Sequence, residues 1–187
     1  MRCLLEPPHQ PHHAPVPNPP EPSQAGAVQR AWVGIGANLG DAAATVSAAL
    51  LALAALPGCT LVQASPRYRS APVGAAGPDF INAVAALDTT LAPLALLAAL
   101  QAIEQQFGRQ RPYPNAPRTL DLDLLLHGQT VLQTEVLTLP HPRLHQRAFV
   151  LRPLLDVCPT LAVPGLGLVA NWLAATADQA IQALPGA

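Results

Sequence analysis

The chain contains no lysine; all ten of its cationic side chains are arginine. That excludes Schiff-base chemistry and the lysine of a phosphate-binding P-loop. Any phosphate clamp must then be built from arginine, whose planar guanidinium grips oxyanions through a bidentate fork. Charge of either sign is scarce: charged residues make up 11% of the chain and the net charge is −1. This excludes a strongly basic nucleic-acid binder and an acidic solvating tail. The cysteines Cys3, Cys59 and Cys158 are odd in number and far apart. They fit neither a disulfide framework nor a CxxC metal site, and they suit a reducing compartment. The N-terminus lacks the apolar run of a signal peptide, and the Ala/Leu-rich stretch over 42–56 is too short to cross a bilayer. The expectation is a cytoplasmic monomer with no membrane or nucleic-acid partner.

Half of the 187 residues are hydrophobic, enough for one domain with a substantial core. Residues 1–28 stand apart. They hold Pro7, Pro8, Pro11, Pro15, Pro17, Pro19, Pro20 and Pro22, with His9, His12 and His13 between them. Such a segment lacks the apolar pattern that offsets the entropy of ordering, so it is predicted to be a disordered extension ahead of one domain over 29–187. A short strand is predicted over 31–36, with a glycine-rich exit. The spacing of Gly34, Gly36 and Gly40 is not GxGxxG, so a tight strand-to-helix turn capped by Asp41 is expected rather than a dinucleotide fingerprint. A helix comes next over 42–56, then strands over 60–69 and 79–90 around a Pro/Gly-rich loop at 70–78. Pro93 starts a helix that stops at Gly108. Strands are expected over 119–127 and near 130–138, and helices over 145–157 and 169–183. This interleaving predicts an α+β fold with a mainly antiparallel sheet.

The most informative segment is Arg118-Thr-Leu-Asp121-Leu-Asp123-Leu-Leu-Leu126. Leu120, Leu122, Leu124 and Leu126 alternate with Thr119, Asp121 and Asp123, which puts the leucines on one face of a strand and both carboxylates on the other. Their backbones would lie roughly 7 Å apart at the usual strand rise. Two like charges on adjacent same-face positions repel unless a cation joins them. Magnesium suits the pair, because it takes one or two carboxylates and completes its shell with water and phosphate oxygens. A DxD pair also serves nucleotide-sugar transferases, and a half-exposed strand with two solvated acids has the same pattern.

Six of the nine arginines beyond residue 28 cluster around this segment or just after it: Arg109, Arg111, Arg118, Arg143, Arg147 and Arg152. Cations beside a carboxylate pair suggest a shared anionic, metal-bound ligand, and a nucleoside triphosphate meets that description. Arg143 and Arg152 are expected to be surface charges. His141 and His145 have the spacing of paired zinc ligands, but Pro140 and Pro142 flank His141 and put it in a loop. Aromatics are rare. Phe80 and Phe149 fit either core filling or a slot that stacks a flat ring.

From about residue 31 to 165 the chain resembles the 6-hydroxymethyl-7,8-dihydropterin pyrophosphokinases. The resemblance is carried by Gly36-Ala-Asn-Leu-Gly-Asp41, Tyr68-Arg-Ser-Ala-Pro-Val-Gly74, Pro78-Asp-Phe-Ile-Asn82, Glu104, Gly108-Arg-Gln-Arg111, Ala116-Pro-Arg-Thr-Leu-Asp-Leu-Asp123, Leu139-Pro-His141 and Arg147-Ala-Phe149. It implies a ferredoxin-like α+β core with helices on both faces of an antiparallel sheet, ATP as co-substrate and AMP as product. By similarity, Asp121 and Asp123 bind two magnesium ions. Arg109, Arg111, Arg118, His141 and Arg147 contact ATP, with Gln101, Glu104 and Thr138 nearby, and Arg109 and Arg111 also serve catalysis. Phe80 and Phe149 sandwich the pterin, while Asn82 and the stretch holding Ser70, Pro72 and Val73 bind its edge. Ala37, Ser70 and Pro142 depart from residues common in the family, and Pro112-Tyr-Pro-Asn115 stands where some members carry a tryptophan.

Gly108 frees the chain to swing at the helix end, and Pro112, Pro114 and Pro117 stiffen the loop beyond it. Such a loop carries cations over a bound triphosphate and withdraws them afterwards. Arg109→Ala and Arg111→Ala are each expected to lower kcat by roughly tenfold or more, about 1.4 kcal/mol per tenfold, with much smaller changes in ATP affinity. Single-turnover rates set against equilibrium ATP binding measure this. Weakened ATP binding with a full single-turnover rate would show that these residues only hold the nucleotide.

Overall fold

Strand alternation and two helix-start signals account for the architecture of the computed structural model, which describes residues 26–72, 77–108 and 119–185. Residues 1–25 of the N-terminal extension, Val73, Arg109, Arg111 and Arg118 lie outside the described residues. In β1 (Gln29–Ala37) the residues Ala31, Val33, Ile35 and Ala37 are buried on one face, and Trp32, Gly34 and Gly36 share the other. Asp41 then caps α1 (Ala42–Ala54), its Oδ1 accepting from the Ala44 N–H at 2.9 Å. Pro93 occupies the first turn of α2 (Pro93–Gln106), where its missing N–H costs nothing. That helix ends at Gly108, which adopts φ +72.

The remaining strands are β2 (Cys59–Ala64), β3 (Tyr68–Ser70), β4 (Phe80–Thr89), β5 (Asp121–His127), β6 (Leu132–Gln133), β7 (Thr138–Leu139), β8 (Ala162–Val163), β9 (Gly167–Leu168) and β10 (Ile181–Ala183). A third helix, α3 (Ala148–Val157), comes after β7. The main sheet runs β10-β3-β4-β1-β5, with β2 also on β4, and each of these pairings is antiparallel. One face packs Val33, Ile35, Leu87, Leu122 and Leu124 against Val46 and Leu53 of α1 and Leu96 and Leu100 of α2. The other packs Trp32, Val84, Ala86 and Leu125 against Val150, Leu151 and Leu154 of α3. The expected α+β fold with helices on both faces is therefore present. Among the described residues no helix is long and apolar enough to cross a membrane.

Five local expectations need correction. The strand expected over 60–69 is broken at Ser65-Pro66, because proline has no N–H for the ladder. Ser65 bridges the break, donating its N–H to the Val84 carbonyl at 2.9 Å and accepting the Val84 N–H on Oγ at 3.0 Å. The strand expected near 130–138 is the small hairpin β6–β7, closed where Thr134 Oγ1 accepts from the Leu137 N–H at 3.0 Å. The helix expected over 169–183 is a 3₁₀ segment, Val169–Thr176, and then β10, which takes up the free edge of β3. The helix expected over 145–157 is split at Arg147 into the 3₁₀ turn Leu144–Gln146 and α3. Finally, a bulge shifts the β1–β5 register between Trp32 and Val33, so Leu126 packs with Leu125 on the opposite face from Leu124.

Glu104 shows how α2 is fastened to the sheet edge. It is 3% exposed, and its Oε1 accepts from the Leu122 N–H of edge strand β5 at 2.6 Å. Glu104→Ala is expected to lower the unfolding free energy by about 1–3 kcal/mol, the cost of leaving a buried N–H without its acceptor. Urea denaturation measures it; an unmoved midpoint would mean that water replaces the carboxylate.

Candidate active site

Strand register builds the site. In β5, Asp123 lies opposite Gly34 of β1 and Asp121 opposite Gly36. On the other side of β1, Gly36 lies opposite Asn82 of β4 and Gly34 opposite Val84. Because the two β1 positions carry no side chain, the sheet is hollow between the carboxylates and β4. A Cβ on Gly36 would come within 3.3 Å of Asn82 Oδ1 and 3.9 Å of the Phe80 ring; one on Gly34 would meet the Leu125 side chain at 3.5 Å. The expected strand-to-helix turn therefore begins later than Gly36, and both glycines are floor rather than turn. The resulting cavity has a volume of about 320 Å³ and is lined by Asp121, Asp123, Phe80, Asn82, Ser70, Pro72, Arg147 and Phe149, among others.

Each wall has its own fastening. Asn82 is 4% exposed and donates through Nδ2 to Ser70 Oγ at 2.9 Å, joining β4 to β3. Its amide is thereby held with one polar edge toward the cavity. Arg147 places a guanidinium nitrogen 3.5 Å from Asp123 Oδ2 and its central carbon 5.4 Å from the centroid of the Phe149 ring. The cation thus lies between a carboxylate and an aromatic face, both of which favour it. His141 is held by its backbone N–H on the Leu125 carbonyl at 2.9 Å, and its Nδ1 accepts from the Arg143 N–H at 3.2 Å. Burial pushes the His141 imidazole below its ordinary range, Arg147 and Arg143 push the same way, and the Asp123 carboxylate opposes them.

Two acids, a cation, two phenylalanines and a buried amide around one open hollow suit a ligand with a phosphate-bearing part and a flat polar ring. The family described as 7,8-dihydro-6-hydroxymethylpterin-pyrophosphokinase matches residues 32–159, more than half of the chain. The chain belongs to this family. A 2-amino-4-hydroxy-6-hydroxymethyldihydropteridine pyrophosphokinase of Pseudomonas aeruginosa is 48% identical over 161 residues, covering 86% of this chain and 99% of that protein. The protein of the same name from Haemophilus influenzae is 40% identical over 149 residues, covering 79% and 93%. A Plasmodium falciparum HPPK-DHPS crystal structure with pterin and p-hydroxybenzoate has the same fold, with a TM-score of 0.65 at 14% identity. The match covers 81% of this chain and 44% of that one.

Within this pyrophosphokinase domain the structure gathers Asp121, Asp123, Phe80, Phe149, Asn82, Ser70, Pro72 and Arg147 around one cavity. His141 is not among the lining residues; it lies in the loop expected from its flanking prolines, ahead of the turn Leu144–Gln146, where the charges of Asp123 and Arg147 act on it. His145, its supposed zinc partner, instead packs edge-on against Trp172, with ring centroids 5.0 Å apart. Gln101 is exposed on α2, Glu104 is turned into the protein, and Thr138 is half-buried on β7; none of the three lines the cavity. Arg143, expected to be a surface charge, is exposed yet lines the cavity mouth with Gln146, while Arg152 stays exposed on α3. Sequence reasoning missed Gly34 and Gly36 as site residues. The signal was there: glycines two apart in a strand share a face and leave it bare.

His141 makes the stability of the domain depend on pH. A histidine whose folded pKa is depressed favours folding while neutral, so the unfolded chain binds more protons as pH falls. The contribution is full above the unfolded value, about 6.5, and is lost as pH falls through the lower folded value. Stability is therefore expected to drop as pH falls below about 6.5, with a shallower drop in His141→Gln. Chemical denaturation at stepped pH measures both; identical slopes would show that other groups carry the dependence.

Proposed function

We propose that the hollow over Gly34 and Gly36 is where this pyrophosphokinase brings its two substrates together, with the phosphates toward Asp121 and Asp123 and the pterin between Phe80 and Phe149. The reaction is transfer of pyrophosphate from ATP to the hydroxymethyl group of 6-hydroxymethyl-7,8-dihydropterin, giving AMP and the pterin diphosphate, in folate biosynthesis. The observation that supports this use of the cavity is convergence: a carboxylate pair and an aromatic pair, distant in sequence, line one 320 Å³ space.

The donor set fits magnesium. Two half-buried carboxylates from alternate positions of one strand suit an ion that keeps its other positions for water and phosphate oxygens. Two magnesium ions held by Asp121 and Asp123 would neutralise phosphate charge and lower the cost of deprotonating the alcohol. The protein's own residues do the rest by positioning and charge. Phe80 and Phe149 fix the plane of the pterin ring, and Asn82, held by Ser70, binds its polar edge. That orientation aims the hydroxymethyl oxygen at the β-phosphorus of ATP. The new O–P bond forms as the bond from the β-phosphorus to the oxygen shared with the α-phosphorus breaks, and AMP leaves with that oxygen. Arg147 and His141, and by resemblance Arg109, Arg111 and Arg118, stabilise the charge on the phosphates. Action as a monomer in the cytoplasm belongs to the same proposal; Cys59 and Cys158 are free thiols.

The deciding assay measures AMP. ATP should yield AMP only when the hydroxymethyl-dihydropterin is present; ADP, or AMP without the pterin, would overturn the proposal. Asp121→Ala and Asp123→Ala are each expected to lower kcat by at least about 100-fold, about 2.7 kcal/mol, with the far-UV circular dichroism of the folded protein. Unchanged turnover in either removes the metal assignment. Phe149→Ala is expected to weaken pterin binding more than ATP binding, aromatic stacking being worth about 0.5–1.5 kcal/mol beyond burial. Calorimetric titration of each ligand separates the two, and equal weakening would assign the ring to the core.

A further inference from the structure

Gln179 lies beyond the last residue of the family match, 159, between the Val169–Thr176 segment and β10. Its backbone is fixed: the Gln179 N–H donates to the Thr176 carbonyl at 3.1 Å, and β10 pairs with β3 just downstream. Its side chain reaches across to the start of α3. There Oε1 accepts from the Ala148 N–H at 2.9 Å, and Nε2 donates to the Gln146 carbonyl at 2.8 Å. The partners fix the amide orientation, since a backbone N–H only donates and a carbonyl only accepts.

Those two groups belong to the peptide units on either side of Arg147. With φ −127 and ψ 111, Arg147 is a single extended residue between the 3₁₀ turn Leu144–Gln146 and α3, and its own side chain caps nothing. The Ala148 N–H is among the donors that a helix start leaves without an internal partner, and Gln179 takes it. The same amide therefore clamps both ends of the residue whose guanidinium meets Asp123 and lies over Phe149. A second hollow of about 270 Å³ borders Phe149 on the side of the C-terminal segment, lined also by Ser70, Pro72, Gln179 and Ile181.

We propose that Gln179 is a positioning residue of the transfer reaction: by bridging Gln146 and Ala148 it sets the backbone of Arg147 and so aims that guanidinium into the cavity. This rests on the role given to Arg147 above. Without the clamp, small rotations at Arg147 displace the charged end of a long side chain, and displacement of a positioned group costs rate rather than fold.

A double-mutant cycle tests it, with kcat, KM for each substrate and melting temperature measured for Gln179→Ala, Arg147→Ala and the double variant. Gln179→Ala is expected to lower kcat by about tenfold, Arg147→Ala by at least as much, and the double variant no further than Arg147→Ala, because residues acting through one group are not additive. Losses that multiply in the double variant, or a normal kcat in Gln179→Ala beside an impaired Arg147→Ala, would overturn the proposal. Normal turnover in Arg147→Ala would instead remove the role of Arg147, a failure recognisable with Gln179 intact. Should Gln179→Ala not fold, Gln179→Met carries the same cycle, since it keeps the length of the side chain and removes both hydrogen bonds.

Discussion

Gly34 and Gly36 impose the constraint on which the site depends. They sit at alternate positions of the strand between β4 and β5, on the face that carries Asp121, Asp123, Asn82 and Phe80. A side chain at either would enter the cavity that both line, and at Gly36 its Cβ would press on Asn82 Oδ1 at 3.3 Å. Glycine in a strand interior is entropically costly, commonly by about 0.5–1 kcal/mol relative to alanine. Two in succession on one face trade strand stability for a concave floor whose walls are rigid sheet on both sides.

The rest of the molecule supports that floor unevenly. On the far face, α1 and α2 bury a continuous apolar layer, and Glu104 ties α2 to the N–H of the residue between the two aspartates. The carboxylate strand is therefore held from behind, by packing and by a charge-assisted hydrogen bond, although it is the edge of the sheet. On the near face, α3 covers only the end of the sheet carrying Trp32, Val84, Ala86 and Leu126. Where α3 begins, cover stops and the cavity opens. The bulge at Leu125 marks this boundary: it lets β5 turn Asp121 and Asp123 toward the hollow while Leu125 and Leu126 both pack beneath α3.

Arg147 links these halves. It stands at the break between two helical turns, it meets a carboxylate of β5, and it lies over the Phe149 ring. Its setting depends on the C-terminal segment, which returns to the sheet as β10 and supplies Gln179. A part of the chain outside the family match thus touches the corner where Arg147 meets Asp123 and Phe149.

Elements with local signals were legible in the order of residues. Period-two leucines marked the carboxylate strand, Asp41 and Pro93 marked helix starts, and prolines around His141 kept it out of a helix. The same order of residues named the family, through a run too specific to arise from composition, and most of the cavity-lining side chains with it. Features that depend on pairing between distant segments emerged only in the folded chain. Residues 181–183 read as helix because their composition favours it, yet they form a strand because β3 has an unpaired edge and open backbone groups to satisfy. Leu126 read as a partner of Leu124, yet the bulge that reverses it arises from pairing with β1, which no single-strand pattern records. Gly34 and Gly36 read as a turn until their register against Asp121, Asp123 and Asn82 made them a floor. Gln179 carried no signal at all, because its role lies in two hydrogen bonds to backbone more than thirty residues away, and backbone donors and acceptors look alike in every sequence.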